Sequence, residues 1–334
     1  GPPCQGFSLA GRRAINDPRN ELFRYHLQVV DLVKPDFVLM ENVQGINVPF
    51  GNNKQQTNGG CCGNLRKNYA KHIREKLDKH GYKVQQHVLK AVDFGVPQYR
   101  PRYYTFGIRN DLAKGMTIPE LYNKLFQMRK DFLRARNLPE DRPVTVAEAI
   151  SDLTTSGKCT IECCDSESPA GFKEIVYMGP KSDYQKLMHA DLNGRQLNSM
   201  RLVKHRAETV ERFQKILDTC RKGVQLSIQD RTRLGIRKTS TTPLDPNLPS
   251  HTITTLPDDF LHYAEPRVHT VREHARLQSF PDWFEFCGKY TTGGKRRSKE
   301  CPRYTQVGNA VPPLLAEIIG KALLAILDNL TGRT

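Results

Sequence analysis

The chain has 334 residues, and its 51 Lys and Arg against 35 Asp and Glu give a formal charge of +16. A composition of 38% hydrophobic and 26% charged residues is that of a globular protein, and no run of about 18 apolar residues exists, which excludes a membrane span. The positive surplus favours a polyanionic partner, nucleic acid first, although a basic surface can also serve solubility alone.

The cysteine pattern indicates reduced thiols. Nine cysteines are an odd number in a long chain, so we expect no disulfide framework. The spacing of Cys159, Cys163 and Cys164 matches zinc sites poorly, and we predict no metal site. The chain opens at Gly1 with neither a Met nor a signal peptide, which we interpret as the start of a fragment or of a processed chain.

The first part of the chain alternates between helical and strand patterns. Helices are predicted over 20–33 and 65–79, and strands over 36–41, 82–92 and 102–108. Pro35 ends the first helix, whose predicted apolar face comprises Leu22, Phe23, Val29, Val30 and Val33. Asn64 is the predicted cap of the second helix, and the first strand suits burial on both faces of a parallel sheet. The alternation predicts βαβ units and an α/β fold.

The middle of the chain is less regular. A polar helix is predicted over 119–136, a strand-plus-helix pattern over 144–153, an amphipathic helix within 201–221 and a closing helix over 313–330. Weak periodicity from Thr154 to about Asn247 predicts a second, smaller and less regular domain. Within it, 221–238 carries six Lys or Arg and one Asp, which suits phosphate contacts or a solvated surface.

Four short motifs carry candidate chemistry, and each also has a structural explanation. Cys4 follows two prolines and precedes Gly6, so it suits a held nucleophile or a loop thiol. Glu41 ends the first strand, where open α/β sheets bind ligands, or it is merely a charge that terminates the strand. Arg100 and Arg102 should share one face of an extended segment and bind phosphate or a carbonyl oxygen, or be solvated.

The fourth motif is the segment before the closing helix, 304–313. Gly308 and Asn309 can adopt left-handed backbone conformations and expose amides, and Pro313 suits the first helical turn. The alternative for this segment is a helix entry with no ligand.

Together these motifs resemble the cytosine-5 DNA methyltransferase family. The matching segments are GPPCQGFS, ENV, QYRPR, REHARLQSFP and YTQVGNAVPP, in the family's order across nearly the whole chain. The resemblance implies a Rossmann-like S-adenosylmethionine-dependent methyltransferase sheet with a smaller, irregular target-recognition domain. It places the catalytic domain at 1–153 plus 301–334 and the target-recognition domain at 154–300.

The resemblance also implies roles for single residues. Cys4 matches the nucleophile that adds to C6 of the target cytosine, Glu41 the residue that contacts N3 and the exocyclic amino group, and Arg102, supported by Arg100, the arginine pair near the base. Substrate or DNA roles fall on Gln5, Ser8, Gln98, Arg272 and Gln278, with Glu273 and Arg276 in the same segment that organises the recognition domain. Positions close to S-adenosylmethionine are Pro3, Asn309 and Val311.

The chain departs from the family before Cys4. The strand and Phe-x-Gly-x-Gly loop that hold the methyl donor do not precede it, so we expect that the N-terminal strands are missing. We interpret the chain as truncated or as completed by another polypeptide, and expect it to be inactive alone. The expected partner is double-stranded DNA, with a monomeric protein in a prokaryotic cytoplasm that serves restriction–modification.

Three alternatives stay open. An RNA cytosine-5 methyltransferase shares the fold, but the region of about 130 residues from Thr154 to Phe286 favours a full DNA recognition domain. A non-catalytic DNA-binding subunit would not need Cys4, Glu41 and Arg102. A cysteine hydrolase is the remotest alternative, because the matching motifs hold no histidine base except His274.

Overall fold

The protein divides into two compact units of mixed α/β structure. A computed structural model describes residues 6–7, 18–49, 68–112, 120–292 and 300–331. The first unit comprises Gly1–Lys90, Pro101–Met128 and Ile319–Thr334, and the second comprises Ala91–Arg100 and Arg129–Ile318. The predicted domain limits at 153 and 301 are drawn on another basis and stay a prediction.

The first unit is built on a three-stranded sheet. Its elements are α1 (Phe23–Val33), β1 (Phe37–Asn42), α2 (Tyr69–Lys79), β2 (Tyr82–Lys90) and β3 (Pro101–Arg109). The strand order is β1-β3-β2, and β3 is antiparallel to both of its neighbours. β1 and β2 therefore run in the same direction, as the predicted βαβ unit requires, but β3 lies between them. The expected parallel pairing is wrong for this described sheet.

β1 is buried on one face only, against the expectation of two. Val38, Met40 and Asn42 are buried, whereas Leu39 between them is 37% exposed. Side chains alternate across a strand, so this pattern belongs to a sheet with one covered face. A continuous apolar run in the sequence does not distinguish the two cases.

The two helices of this unit also differ from the predictions in detail. α1 buries Phe23, Leu27 and Val30, which follow the 4-3 spacing of one helical face. The predicted face is wrong at three positions that are exposed, namely Leu22, Val29 and Val33. α2 is capped by Asn68, whose side chain accepts a hydrogen bond from the Lys71 amide at 3.0 Å. The predicted cap Asn64 lies outside the described residues.

The second unit is richer in short helices than in strands. Its elements are α4 (Val146–Ile150), β4 (Thr160–Glu162), β5 (Lys173–Ile175), α5 (Asp183–His189), α6 (Ala207–Thr219), α7 (Ile228–Arg233), β6 (Thr242–Pro243), β7 (Phe260–Leu261), α8 (Val271–Leu277) and α9 (Arg303–Asn309). Two helices, α3 (Leu121–Arg134) and α10 (Pro313–Thr331), have residues in both units. The predicted strand within 144–153 is absent from these described residues, because Thr145 caps α4 in a reciprocal pair with Glu148.

α8 forms the centre of the second unit. All seven of its residues are buried, including two arginines and a glutamate. α4 and α9 pack on it, and α5 packs on α4. A helix that is buried all round in a globular unit must have partners for every polar side chain that it carries.

The closing helix α10 buries one apolar stripe. Leu315, Ile318, Ala322 and Ile326 are all buried. The stretch Arg303–Thr331 is long and apolar enough to cross a membrane, since an 18-residue window within it has a mean hydropathy of 1.8, and 39% of that window is buried. Because the chain leaves the helical path at 310–312, the stretch consists of two helices, and core packing explains its composition.

Candidate active site

Glu41 and Arg102 form an ion pair at one end of the first unit's sheet. The Arg102 Nε lies 3.1 Å from Glu41 Oε1, and the two side chains are 13% and 27% exposed, Arg102 being the more buried. Their strands are neighbours, since Glu41 pairs with Tyr104 in the register of β1 and β3. The structure thus brings two of the predicted catalytic residues into direct contact, and their roles stay a prediction.

The strand geometry explains why the Glu41 carboxylate is accessible. Its neighbours Met40 and Asn42 point to the covered face of the sheet, so Glu41 points to the other. The Asn42 side chain accepts a hydrogen bond from the Val43 amide at 2.9 Å, which closes the strand end. A carboxylate fixed on one oxygen by a guanidinium and still partly exposed can bind a further ligand through its free edge.

Arg100 does not share a strand face with Arg102, and that expectation is wrong. β3 begins at Pro101, and Arg100 has a positive φ of 29° just before it. The Arg100 side chain is 2% exposed and donates to three backbone carbonyls: Ile253 at 3.3 Å, Gly308 at 3.0 Å and Ala310 at 2.7 Å. The two arginines therefore serve different parts of the molecule.

Gln98 and Gln278 form a buried pair in the second unit. Gln98 donates to Gln278 Oε1 at 2.9 Å and to the Leu277 carbonyl at 3.1 Å, and it accepts from the Ile253 amide at 2.8 Å. Gln278 in turn donates to the Val307 carbonyl at 2.8 Å. Both side chains are fully buried, so they hold four segments together and present no polar group to DNA.

Gly308 allows two backbones to approach closely. A Cβ at this position would lie 2.4 Å from the Thr254 carbonyl oxygen and 2.8 Å from the Thr255 nitrogen. Gly308 does not adopt the left-handed conformation that is open to a glycine, because it lies within α9 and its φ is not positive. The glycine is needed for contact and not for backbone conformation.

Residues 309–311 form the break between α9 and α10, and we call them the 309–311 segment. Asn309 and Val311 are exposed, and Ala310 has an extended backbone. A polar amide beside an apolar side chain suits the adenosyl group of S-adenosylmethionine, which combines a flat ring with hydrogen-bonding edges. These residues therefore fit the role that the resemblance implies for them.

Arg272 and Arg276 are fully buried on α8. Arg272 donates to the carbonyls of Asn198, Pro281 and Phe284 at 2.9, 3.3 and 2.8 Å. Burial lowers the pKa of Arg272 to about 10. The Arg272 side chain organises the fold, and its burial leaves no surface for DNA.

Arg276 lies between two buried carboxylates. It contacts Asp282 at 2.6 and 2.5 Å and Asp152 Oδ2 at 3.2 Å. Burial raises the pKa of Asp152, and the nearby guanidinium of Arg276 opposes that rise. Tyr177 donates to Asp152 at 2.7 Å and completes the cluster.

Glu273 is held ionised by Arg267. The Arg267 guanidinium donates to both Glu273 oxygens, at 2.8 and 2.7 Å. Burial alone would raise the pKa of Glu273, but the Arg267 charge and its hydrogen bonds hold it well below the usual range. Glu273 also accepts from the Thr270 amide and so begins α8. The Thr270-x-x-Glu273 spacing is a sequence signal that predicts this helix start.

The sequence reasoning missed the partners of these buried arginines. Asp152 lies 124 residues from Arg276 along the chain, and Arg267 was not singled out. Local spacing carries no signal for such long-range pairs. A row of three fully buried histidines was also missed. The ring centroid of His269 lies 5.6 Å from that of His262 and 5.4 Å from that of His274.

The basic stretch 221–238 is only partly available for an anion. Arg233 pairs with Asp230 at 3.0 Å, and Lys238 contacts both Asp258 and Asp259. Arg221 and Arg237 are exposed. Charge counting along the sequence therefore overstates the cations that face outward.

Several predicted residues lie outside the described residues. They are Pro3, Cys4, Gln5 and Ser8 of the first motif, and the second basic group at 295–297. Their roles stay predictions. Among the residues that the structure does describe, no cluster of three His, Cys, Asp or Glu side chains could hold a metal ion.

A cavity of about 520 Å³ lies in the second unit, bordered by Tyr177, His189 and Met200. Of the predicted site residues in the described ranges, none borders it. Its aromatic wall joins the Arg276 cluster, since His189 lies 3.1 Å from Asp282.

Comparison with known proteins gives a consistent result. A family model described as C-5 cytosine-specific DNA methylase matches residues 1–325. The chain is 31% identical to the type II methyltransferase M.DdeI of Desulfomicrobium norvegicum over 99% of this chain and 72% of the relative. It is also 31% identical to the type II methyltransferase M1.HphI of Haemophilus parahaemolyticus, over 98% of this chain and 68% of the relative.

A solved structure resembles this fold. It is a DNA modification methyltransferase encoded within a prophage of E. coli, with a TM-score of 0.62 and 26% sequence identity. The similarity covers 98% of this chain and 78% of that chain.

Proposed function

The chain belongs to the C-5 cytosine-specific DNA methylase family, and from this premise we propose that Glu41 and Arg102 act on a flipped cytosine to which Cys4 bonds. The protein is a DNA (cytosine-5)-methyltransferase, and its relatives are type II enzymes of restriction–modification systems. The family uses S-adenosylmethionine as the methyl donor. The bacterial relatives favour a cytoplasmic location.

The observation that carries the residue roles is the ion pair of Glu41 and Arg102. A cytosine presents N3 and an exocyclic amino group side by side. The Glu41 carboxyl group, whose orientation is fixed by Arg102 at 3.1 Å and which is 27% exposed, can accept from the amino group through one oxygen and, when protonated on the other, pass that proton to N3. The guanidinium itself supplies donors for a carbonyl oxygen such as O2.

The chemistry explains why these residue types are needed. C5 of cytosine is a poor nucleophile until the Cys4 Sγ bonds to C6, which moves electron density toward C5 and N3. Proton delivery to N3 by Glu41 stabilises that addition. S-adenosylmethionine, when bound, supplies the methyl group to C5. Loss of the C5 proton to a base then allows the Cys4–C6 bond to break and restores the ring.

The target base must leave the helix before this can happen. Its reacting atoms cannot be reached within a stacked duplex, and unstacking costs a few kcal/mol. Phosphate contacts by exposed cations can offset that cost. Arg221 and Arg237, which are exposed in the second unit, are our candidates for such contacts.

The buried arginines of the second unit take supporting roles in this proposal. Arg272 and Arg276 organise the recognition region, since both are fully buried and donate to a backbone carbonyl and to a buried carboxylate of the second unit, respectively. Asn309 and Val311 contact the methyl donor. The finer arrangement of a Rossmann-like sheet beyond the described strands is part of the same proposal.

The test is covalent capture by the natural full-length protein that carries this sequence. With S-adenosylmethionine present, duplex DNA with 5-fluorocytosine at the target should form a complex stable to denaturation, because after methyl transfer C5 carries a fluorine in place of the proton that must leave, and the Cys4–C6 bond persists. Cys4→Ser should form none, while Cys220→Ser, at a partly buried thiol outside the motifs, should form as much as the wild type.

Two results would overturn parts of this proposal. A denaturation-stable DNA complex of the Cys4→Ser variant would show that Cys4 is not the nucleophile. Methyl incorporation into transfer RNA and none into duplex DNA would favour the RNA-directed alternative over the DNA substrate that the relatives suggest.

A further inference from the structure

Arg100 binds the backbone on both sides of Asn309, the last residue of α9. Its Nη2 donates to the carbonyls of Gly308 and Ala310, at 3.0 and 2.7 Å, which flank Asn309. Its Nη1 donates to the Ile253 carbonyl at 3.3 Å. A planar guanidinium can serve three acceptors in this way, whereas a lysine ammonium has no such rigid fork.

The carbonyls at the C-terminal end of α9 need partners from outside the helix. α9 ends at Asn309, so its last carbonyls lack intrahelical donors. The negative end of the helix dipole also favours a cation at this position. Gln278 binds the Val307 carbonyl, and Arg100 binds those of Gly308 and Ala310.

The far side of the 309–311 segment is fixed as well. The Leu314 amide, in the first turn of α10, donates to Ser279 Oγ at 3.2 Å, and Ser279 has a positive φ of 60°. Pro312 and Pro313 stiffen the chain between these anchors. The backbone around Asn309 and Val311 is therefore held at Gly308, Ala310 and Leu314.

The backbone of Arg100 is itself strained. A positive φ of 29° in a residue other than glycine is maintained only when its surroundings determine it. On one side Tyr99 donates its amide to the Ser250 carbonyl at 3.0 Å, and on the other Pro101 begins β3. This backbone conformation directs the guanidinium to the carbonyls of Gly308 and Ala310.

We infer that Arg100 is a positioning residue that holds Asn309 and Val311 in the conformation that binds the methyl donor. This inference rests on the proposed function, because it takes the donor contact at Asn309 from there. It assigns Arg100 to donor affinity and leaves the chemistry at the base to Arg102.

The experiment measures S-adenosylmethionine affinity of the full-length protein by isothermal titration calorimetry, together with KM for the donor and kcat. Arg100→Lys should raise the donor Kd by about tenfold or more, because a single ammonium nitrogen cannot reach the three carbonyls that two separate nitrogens of the guanidinium bind. The value of kcat at saturating donor should change by less than about threefold, since Arg100 does not touch the base.

Arg272→Lys is a matched control for general destabilisation. Arg272 is also fully buried and also donates to three backbone carbonyls, but none of them belongs to the 309–311 segment. We expect a similar loss of thermal stability and a donor Kd within about twofold of the wild type, because distant sites act independently. Equal losses of donor affinity in both variants would overturn the inference.

A double-mutant cycle separates this inference from the proposed function. Asn309→Ala should weaken donor binding by itself, and adding Arg100→Lys should weaken it little further, because Arg100 acts through Asn309. Unchanged donor affinity in Asn309→Ala would contradict the proposed donor contact. Weakened binding in Asn309→Ala with full affinity in Arg100→Lys would contradict only the positioning role.

Arg100→Gln keeps the test decisive if the lysine variant does not fold. Its amide can still donate to one carbonyl, so the donor Kd should lie between those of the wild type and Asn309→Ala. An Arg100→Gln protein that binds the donor as the wild type does would overturn the inference.

Discussion

Arg102 in the first unit and Arg276 in the second contact carboxylates in opposite settings. Arg102 meets Glu41 at 3.1 Å with both side chains partly exposed, whereas Arg276 meets Asp152 and Asp282 with all three fully buried. Burying charges is unfavourable unless each charge is paired and hydrogen-bonded. The buried cluster is therefore committed to the fold, and the exposed pair keeps capacity for an external ligand.

The largest expected effect comes from removing the charge of Glu41. Glu41→Gln keeps the size of the side chain but cannot deliver the proton, so methyl transfer should fall by about 10²- to 10⁴-fold. Stability should change by no more than about 0.5 kcal/mol, since the pair is partly exposed. Single-turnover methylation of duplex DNA and urea unfolding measure the two quantities.

Glu75→Gln is the control for the Glu41 variant. Glu75 lies 3.9 Å from Lys71 on the exposed face of α2 and should change neither quantity. Wild-type turnover in Glu41→Gln would show that the contact with Arg102 is structural and not catalytic.

Removing the charge of Arg276 should show the reverse pattern. Arg276→Met leaves Asp152 and Asp282 buried without their cation, which should lower the free energy of unfolding by about 3–5 kcal/mol. Arg233→Met, at an exposed pair with Asp230, should cost at most about 1 kcal/mol. Chemical denaturation at constant pH makes the comparison, and equal losses in the two variants would refute the distinction drawn between buried and exposed pairs.

The sequence predicts the exposed pair better than the buried cluster. Glu41 and Arg102 are named by motifs at strand ends, and the alternation of the strands decides which way they point. Arg276 depends on Asp152, which lies 124 residues away and carries no local pattern. The positive φ of Arg100 likewise follows from the Ser250 contact and the start of β3. These features are determined by packing between residues that are distant in the sequence, and the spacing of apolar residues along the chain does not predict such packing.

A third prediction concerns how the stability of the second unit depends on pH, through three buried histidines. Burial lowers the pKa of His262 and of His274 to about 4, and it lowers that of His269 well below 6.5. The charge of Glu273 opposes this shift in all three, and that of Arg267 adds to it in His262 and His269. The unfolded chain thus binds more protons, and stability should fall as pH drops from about 6.5 toward 4.

The expected slope is about 1.4 kcal/mol per pH unit for each imidazole. Urea unfolding between about pH 7.5 and 5 measures it, and His274→Gln should reduce the slope by about one proton. Asp152, whose pKa is raised by burial, acts in the opposite direction at lower pH. A pH-independent free energy of unfolding over this range would contradict the assignment of neutral buried rings.

The smallest expected effect lies at the surface of the second unit. Replacing Arg221 and Arg237 by Ala should weaken DNA binding and reduce the slope of log K against log salt by about one for each phosphate that is no longer neutralised. Lys238→Ala, whose ammonium contacts Asp258 and Asp259, should leave that slope unchanged. Fluorescence anisotropy at several salt concentrations measures the affinity and the slope. Identical slopes in all variants would show that Arg221 and Arg237 do not contact DNA phosphates.

Gly308 sets a limit on how this enzyme can be re-engineered for synthetic methyl-donor analogues. The backbone of Thr254 and Thr255 occupies the space that any side chain at Gly308 would need. On the proposal that Asn309 and Val311 contact the donor, libraries that aim to admit bulkier alkyl groups can vary these two residues, but they must keep Gly308. Space for a larger donor must therefore come from smaller side chains at these two positions, since the backbone at Gly308 cannot move away from Thr254 and Thr255.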